Sequence, residues 1–226
     1  MTTNLQEILV RLQKLHPKEI DLSLNRIEKI CKRIGNPEKN LKVISIVGTN
    51  GKNSTIQAMR SILNEAKINT NIYTSPHIQK INERFVFDNK EINDLELSKL
   101  FLEIEDINNK DEITYFEILT AAFLKKANEY ENNLNIIEAG LFHRFDATNI
   151  FEKNLASVVT AIGLDHTDWL PDNEKTIDKI IYEKTSSLLN SKIIVSKQES
   201  SEILSKIKNS LINNPSKKIF FNELYS

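Results

Sequence analysis

Apolar and polar positions follow two rhythms along this chain. Short continuous apolar runs, Val43-Ile44-Ser45-Ile46-Val47, Leu134-Asn135-Ile136-Ile137 and Ala156-Ser157-Val158-Val159-Thr160-Ala161-Ile162, predict buried strands. Asn71-Ile72-Tyr73-Thr74, Ile193-Ile194-Val195 and Ile219-Phe220-Phe221 read the same way. Phe85-Val86-Phe87 and Lys90-Glu91-Ile92 flank Asp88-Asn89, which predicts a hairpin. Helical spacing separates these runs. Leu5, Ile8, Leu9 and Leu12 make a first helix behind a Thr3/Gln6 capping box, and a turn at His16-Pro17 leads to a second that ends near Gly35-Asn36-Pro37. Ile56, Met59, Leu63 and Ala66 mark a third. Two more start at the boxes Asn93/Glu96 and Thr114/Glu117, and the last two run from Thr176 to about Leu189 and from Ile203 to Leu211. Strands alternating with helices predict an α/β fold: a mostly parallel sheet with helices on both faces. Ligands of such sheets bind beyond the strand carboxyl ends. Thr74-Ser75, Glu138-Ala139-Gly140 and Gly163-Leu164-Asp165-His166 all lie at such ends. No internal repeat, low-complexity tract or interdomain linker interrupts the pattern.

Val47-Gly48-Thr49-Asn50-Gly51-Lys52-Asn53-Ser54-Thr55 joins the first strand to the third helix. Strand, glycine-bracketed turn with lysine, then helix is the geometry of a phosphate cradle. Backbone amides converge on the anion, the helix N-terminus adds partial charge and the lysine a full one. The Walker pattern is not met, because Ile46 stands at its first glycine and Asn53 follows the lysine. The competing reading is a plain strand–helix turn with a solvated lysine. Three further polar residues stand out. Glu138 closes an apolar strand, where a carboxylate is costly unless paired or bound to metal; Mg²⁺ beside a triphosphate is one partner, and a solvated loop is the alternative. His166 ends another strand at the same edge, although a lone histidine is more often structural. Lys184 falls on the apolar stripe 177, 180, 181, 188. It either snorkels to the surface or is desolvated, with a neutral amine able to form a carbamate with CO₂ and so ligate a second magnesium.

Composition adds limits. With 226 residues, 40% hydrophobic and 27% charged, the chain has the balance of a folded protein. A formal charge of −1 gives no general pull toward nucleic acid or anionic membrane, so phosphate binding has to be local. The single cysteine, Cys31, excludes an intramolecular disulfide. No leader-like segment or membrane-length apolar run is present, which predicts a cytoplasmic protein, and a monomer is expected.

Six ordered segments carry a resemblance: VGTNGKNST (47–55), YTSPHIQKINERF (73–85), ITYFEILT (113–120), EAGLFHRFDATN (138–149), IGLDHTDWL (162–170) and YEKTSS (182–187). Together they resemble folylpolyglutamate synthase and dihydrofolate synthase of the Mur ligase superfamily. The resemblance implies a P-loop-type ATP-binding domain and ATP-dependent ligation of L-glutamate to dihydropteroate, (tetrahydro)folate or both, through an acyl phosphate, in folate biosynthesis. It assigns ATP to residues 48–55, with Lys52, His166 and Lys184 catalytic. It assigns Mg²⁺ to Ser75, Glu138, His166 and a carbamylated Lys184, two ions in all. Asp21-Leu22-Ser23-Leu24 resembles a D-L-G-L pterin-binding element; with Tyr115, Phe116, Arg144 and Asp146 it would hold the pterin.

The chain departs from the family at Asn53, at Phe142-His143 and at Thr185-Ser186, where GTNGKGS, GLGGRLDATN and Ala-Gly are usual. Asn53 is tolerable if a positive φ is needed there. The bulky pair at 142–143 threatens to block substrate. Residues 1–226 are expected to be an N-terminal ATP-binding domain, incomplete at its end and without the glutamate-ligase domain. Negligible glutamate incorporation by these residues alone is therefore expected. The alternative is a truncated or degenerate nucleotide-binding module without ligase activity.

Overall fold

The computed structural model describes residues 4–16, 18, 21–188 and 191–221. The chain runs α1 (Leu5–Leu12), α2 (Asn25–Arg33), β1 (Lys42–Val47), α3 (Lys52–Glu65), β2 (Thr70–Tyr73), β3 (Phe85–Phe87), β4 (Lys90–Glu91) and α4 (Asp94–Asn108). It continues through α5 (Tyr115–Ala127), β5 (Leu134–Glu138), β6 (Ala156–Val159), α6 (Ile177–Thr185), β7 (Lys192–Val195), α7 (Ser201–Ser210) and β8 (Lys218–Phe220). One sheet has the order β4-β3-β2-β5-β1-β6-β7-β8. From β2 to β8 all pairings are parallel, and the β3–β4 hairpin adds antiparallel strands at one edge.

Local chemistry sets most boundaries. Asp88 and Asn89 take φ of 50° and 64°, a two-residue turn whose twist matches the flanking strands. Thr114 and Glu117 form the predicted capping box of α5, and Asn93 and Thr176 cap α4 and α6. The cap of α1 is Asn4, which accepts from the Gln6 amide, rather than Thr3; Thr3, Pro17 and Ile20 lie outside the described residues. Two elements are shorter than their patterns. β6 stops at Val159 because the amides of Thr49 and Asn50 take the Ala161 carbonyl. α6 ends at Thr185, and the predicted end near Leu189 falls outside the described residues.

Helices cover both faces unequally. Val43, Tyr73, Phe85 and Ile137 pack beneath α1, α2, α4 and α5. Val47, Val159, Ile193 and Val195 pack beneath α6 and α7. On the other face, α3, the one helix there among the described residues, seats Ile56 against Ile46, Ile72, Ile136 and Val158. The aromatic heart of the larger layer stacks Tyr73 on Phe123 at 5.0 Å between ring centroids, with Phe85 edge-on to Phe101 at 5.7 Å. Burying each such ring stabilises the fold by roughly 1.5–3 kcal/mol. This packing holds β1, β5 and β6 side by side, so their carboxyl-end loops meet at one place.

Candidate active site

The loop between β1 and α3 is shaped by two glycines. Gly51 takes φ +83° as the N-cap of α3, and Gly48 takes φ +154°. A Cβ on Gly48 would lie 2.0 Å from Thr160 Oγ1, so only glycine lets β1 pass β6 here. The amides of Thr49 and Asn50 donate to Ala161 O at 2.9 and 3.1 Å. Those of Gly51, Lys52, Asn53 and Ser54 have no acceptor among the described residues, so the amides left free to meet an anion lie in the first turn of α3. Asn53 sits inside α3 with helical geometry and accepts from Gln57; the substitution calls for no left-handed backbone. Thr55 bonds its own helix through Gly51 O.

Lys52 folds over the loop, its Nζ 3.2 Å from the carbonyls of both Gly48 and Thr49 and 3.9 Å from Glu138 Oε1. It is not a solvated lysine. Glu138 is 3% exposed, accepts from the Ser75 amide at 3.1 Å, and is pushed above the usual carboxylate range by burial. Lys184 is 1% exposed and does not snorkel; Nζ donates to Gly48 O at 3.0 Å and lies 3.8 Å from Asp165 Oδ2. Asp165 in turn stands 3.2 Å from His166 Nε2. Burial lowers the His166 pKa, which keeps the ring neutral and able to ligate. Glu138, Lys52, Gly48, Lys184, Asp165 and His166 thus form one chain of contacts across the ends of β5, β1 and β6. Asp165 was not singled out as a site residue by sequence reasoning; its position beside His166 at a strand end was the available signal.

Burial, with the nearby Lys52 charge second, lowers the Lys184 pKa from 10.5 to about 8. A folded-state pKa below the unfolded one means that stability is lost as pH falls through about 8 and fully present only above 10.5. Unfolding free energy is therefore expected to rise between these values, by roughly 3 kcal/mol relative to Lys184→Met. Urea titrations of both proteins across that range check it. Parallel pH profiles would show that the amine does not titrate early.

No group of three or more His, Cys, Asp and Glu side chains that could hold a metal occurs among the described residues. Mg²⁺, however, takes only one or two protein carboxylates and completes its shell with phosphates and water. Glu138, a buried carboxylate 3.9 Å from the Lys52 ammonium and bonded by the Ser75 amide, fits that sparse requirement, and Ser75 and His166 line the cavity at the same sheet edge.

A cavity of about 550 Å³ opens at this edge. Thr49, Lys52, Ser75, Asp165 and His166 line it, and so do Asp21, Leu22, Tyr115, Phe116, Phe145 and Asp146. Asp146 is buried and accepts from the amides of Gly140, Leu141 and Thr148 and from Thr148 Oγ1, at 2.5–3.0 Å. Ser23 and Leu24 lie off the cavity: Ser23 bonds the Asn25 amide and Leu24 packs in the helical layer. Arg144 also faces away, paired through two hydrogen bonds with Glu183 and stacked on Phe145. Arg84, Pro76 and Trp169 line the cavity without having been expected there. Phe142 and His143 do not block it. Phe142, at φ +58°, turns its ring into the α6 layer, and His143 is buried with Nδ1 2.8 Å from Ser187 Oγ. Desolvation and the Lys184 charge lower the His143 pKa to about 3.

No family model matches the chain. It is 39% identical over 164 residues to the dihydrofolate synthase/folylpolyglutamate synthase of Escherichia coli, covering 72% of this chain and 39% of that protein. Against the Bacillus subtilis enzyme of the same name it is 39% identical over 168 residues, 71% of this chain and 38% of the relative. A solved structure titled as E. coli FolC in complex with DHPP and ADP superposes with a TM-score of 0.84 at 33% identity, over 96% of this chain and 51% of that one. The Yersinia pestis bifunctional folylpolyglutamate synthase/dihydrofolate synthase, complexed with AMPPNP and Mn, gives 0.84 at 29%, over 97% and 52%. The chain thus spans well under two thirds of the relatives it matches. In its six ordered motifs, its sheet and the loops those strands carry, it belongs to the dihydrofolate synthase/folylpolyglutamate synthase family.

Proposed function

We propose that this chain provides the ATP- and pterin-binding parts of a ligase that joins L-glutamate to dihydropteroate, (tetrahydro)folate or both. The observation that carries the reading is a single cavity that Thr49 and Lys52 of the cradle loop line together with the aromatic side chains of Tyr115, Phe116 and Phe145. A solved relative that holds both DHPP and ADP supports it. A carboxylate is a poor electrophile, so ATP first converts it to an acyl phosphate that the glutamate amine then attacks. The first-turn amides of α3 would hold the phosphates. The Lys52 ammonium would move from the Gly48 and Thr49 carbonyls to meet the charge that spreads over the transferred phosphoryl group. Tyr115 and Phe116 would stack the pterin and fix the distance of its carboxylate from that phosphoryl group. Mg²⁺ held by Glu138, Ser75 and His166 would supply charge neutralisation at the phosphates. The buried Lys184 amine would take up CO₂, losing a proton to solvent as the N–C bond forms, and so offer an anionic oxygen for a second ion. The same reading makes the protein a cytoplasmic monomer that takes small-molecule substrates, with neither nucleic acid nor membrane.

The test is a titration of ATP and Mg²⁺ into wild type and Lys52→Ala. Loss of one charge-assisted contact to phosphate corresponds to about 1.5–3 kcal/mol, a roughly 10- to 150-fold weaker affinity. Trp169, the single tryptophan, lines the same cavity and reports dihydropteroate by its fluorescence. Equal ATP affinities for the two proteins, or a tryptophan signal blind to dihydropteroate, would sink the reading.

A further inference from the structure

The opposite edge of the sheet carries a second groove. At the end opposite the nucleotide loop, about 20 Å away along β1, an open groove of about 800 Å³ crosses the starts of β1, β6, β7 and β8. Lys39, Lys42, Lys153, Lys192 and Lys217 line it, and no acidic side chain does so among the described residues. None of the five forms an ion pair among the described residues. They make a locally positive edge on a chain whose charges balance to −1. These lysines, far apart in sequence, come together only because four strands begin side by side, so the tertiary fold gathers this potential.

The groove is not purely electrostatic. Its floor carries Leu41 and Pro215, and Leu155 projects with 51% of its surface exposed. No aromatic side chain among the described residues lines the groove, which gives stacked bases no platform there.

We propose that this groove docks an acidic peptide segment of a partner protein, in which carboxylates meet the five lysines and interspersed leucine-type side chains cover Leu155 and the apolar floor. Charge complementarity fixes the sign of the partner, and the apolar floor with the exposed Leu155 selects a peptide over a simple polyanion.

The probe is a fluorescein-labelled peptide of glutamate and leucine, titrated into the full chain at about 0.15 M ionic strength and followed by anisotropy. Saturable binding is expected, weakened about tenfold or more by Lys42→Glu combined with Lys192→Glu, with ATP affinity unchanged. Lys153→Glu with Lys217→Glu, at positions outside the strands, repeats the test should the first pair disturb folding. Leu155→Asp is expected to weaken the same peptide, and poly-glutamate without leucine to bind less tightly. No binding, equal binding by the charge-reversed proteins, or tighter binding of inorganic polyphosphate or single-stranded RNA would overturn the proposal.

Discussion

Gly48→Ala is expected to lose nucleotide binding and to destabilise the fold by about 2–4 kcal/mol, at the high end for an overpacked site. The added methyl would meet Thr160 Oγ1 at 2.0 Å, Thr160 Cβ at 3.1 Å and the Thr160 carbonyl carbon at 3.2 Å. Thr160 cannot yield. Its amide and hydroxyl are both bonded to Val47 O, and its carbonyl accepts from Gln198. The loop therefore has to move, and Gly48 O with it. That carbonyl holds Lys52 at 3.2 Å and Lys184 at 3.0 Å, so both lysines lose their shared anchor. An affinity loss of at least about 30-fold for ATP follows if the cradle amides are displaced by as little as an ångström. Calorimetry of ATP binding and a urea melt measure the two effects. Combining the change with Thr160→Ala removes the hydroxyl and should recover part of both, a coupling that a double-mutant cycle reads directly. Wild-type ATP affinity in Gly48→Ala would mean the loop is not pinned against β6.

Asp146→Ala is expected to cost about 3–5 kcal/mol, through buried donors left without an acceptor. One carboxylate oxygen accepts from the Gly140 and Leu141 amides at 3.0 and 2.7 Å, and the other from the Thr148 amide and hydroxyl at 2.9 and 2.5 Å. These bonds tie together the turn that follows β5, although burial raises the Asp146 pKa. Without them, Gly140 separates from Phe116, whose ring lies so close that a Cβ on Gly140 would meet it at 2.7 Å. The aromatic lining of the cavity then loosens. For a domain of this size the loss corresponds to a fall in Tm of roughly 10 °C. Asp146→Asn keeps one acceptor oxygen and should fall between wild type and alanine. A thermal scan of the three proteins decides; an alanine variant within about 1 kcal/mol of wild type would show that the turn is held by other contacts.

Much of the site was legible because its parts are local. A strand that ends in Val47, glycines at 48 and 51 and a lysine at the start of a helix are all encoded within nine residues. The burial of Glu138 followed from its place on an apolar strand, and that of Lys184 from its place on an apolar helical stripe. Asn53 was harder, because its φ depends on where α3 begins, and that start comes one residue earlier than the substitution. Arg144 illustrates the opposite limit. Its guanidinium could have reached a pterin or a carboxylate, and the nearest carboxylate is Glu183, 39 residues away in sequence.

The sequence by itself determined the kinds of element, their caps, the Asp88-Asn89 hairpin and the nucleotide loop, since each depends on contacts within a turn or two of the backbone. Only the tertiary structure decided the strand order that slots β5 between β2 and β1, the meeting of Lys184 with Gly48 across 136 residues, and the inward turn of Phe142 and His143. It also gathered Asp165 to the site and five lysines to the opposite edge. Periodicity states which side of an element is apolar, but not which other element that side will meet. That choice is made by packing, in which each layer closes only when distant segments fill it together.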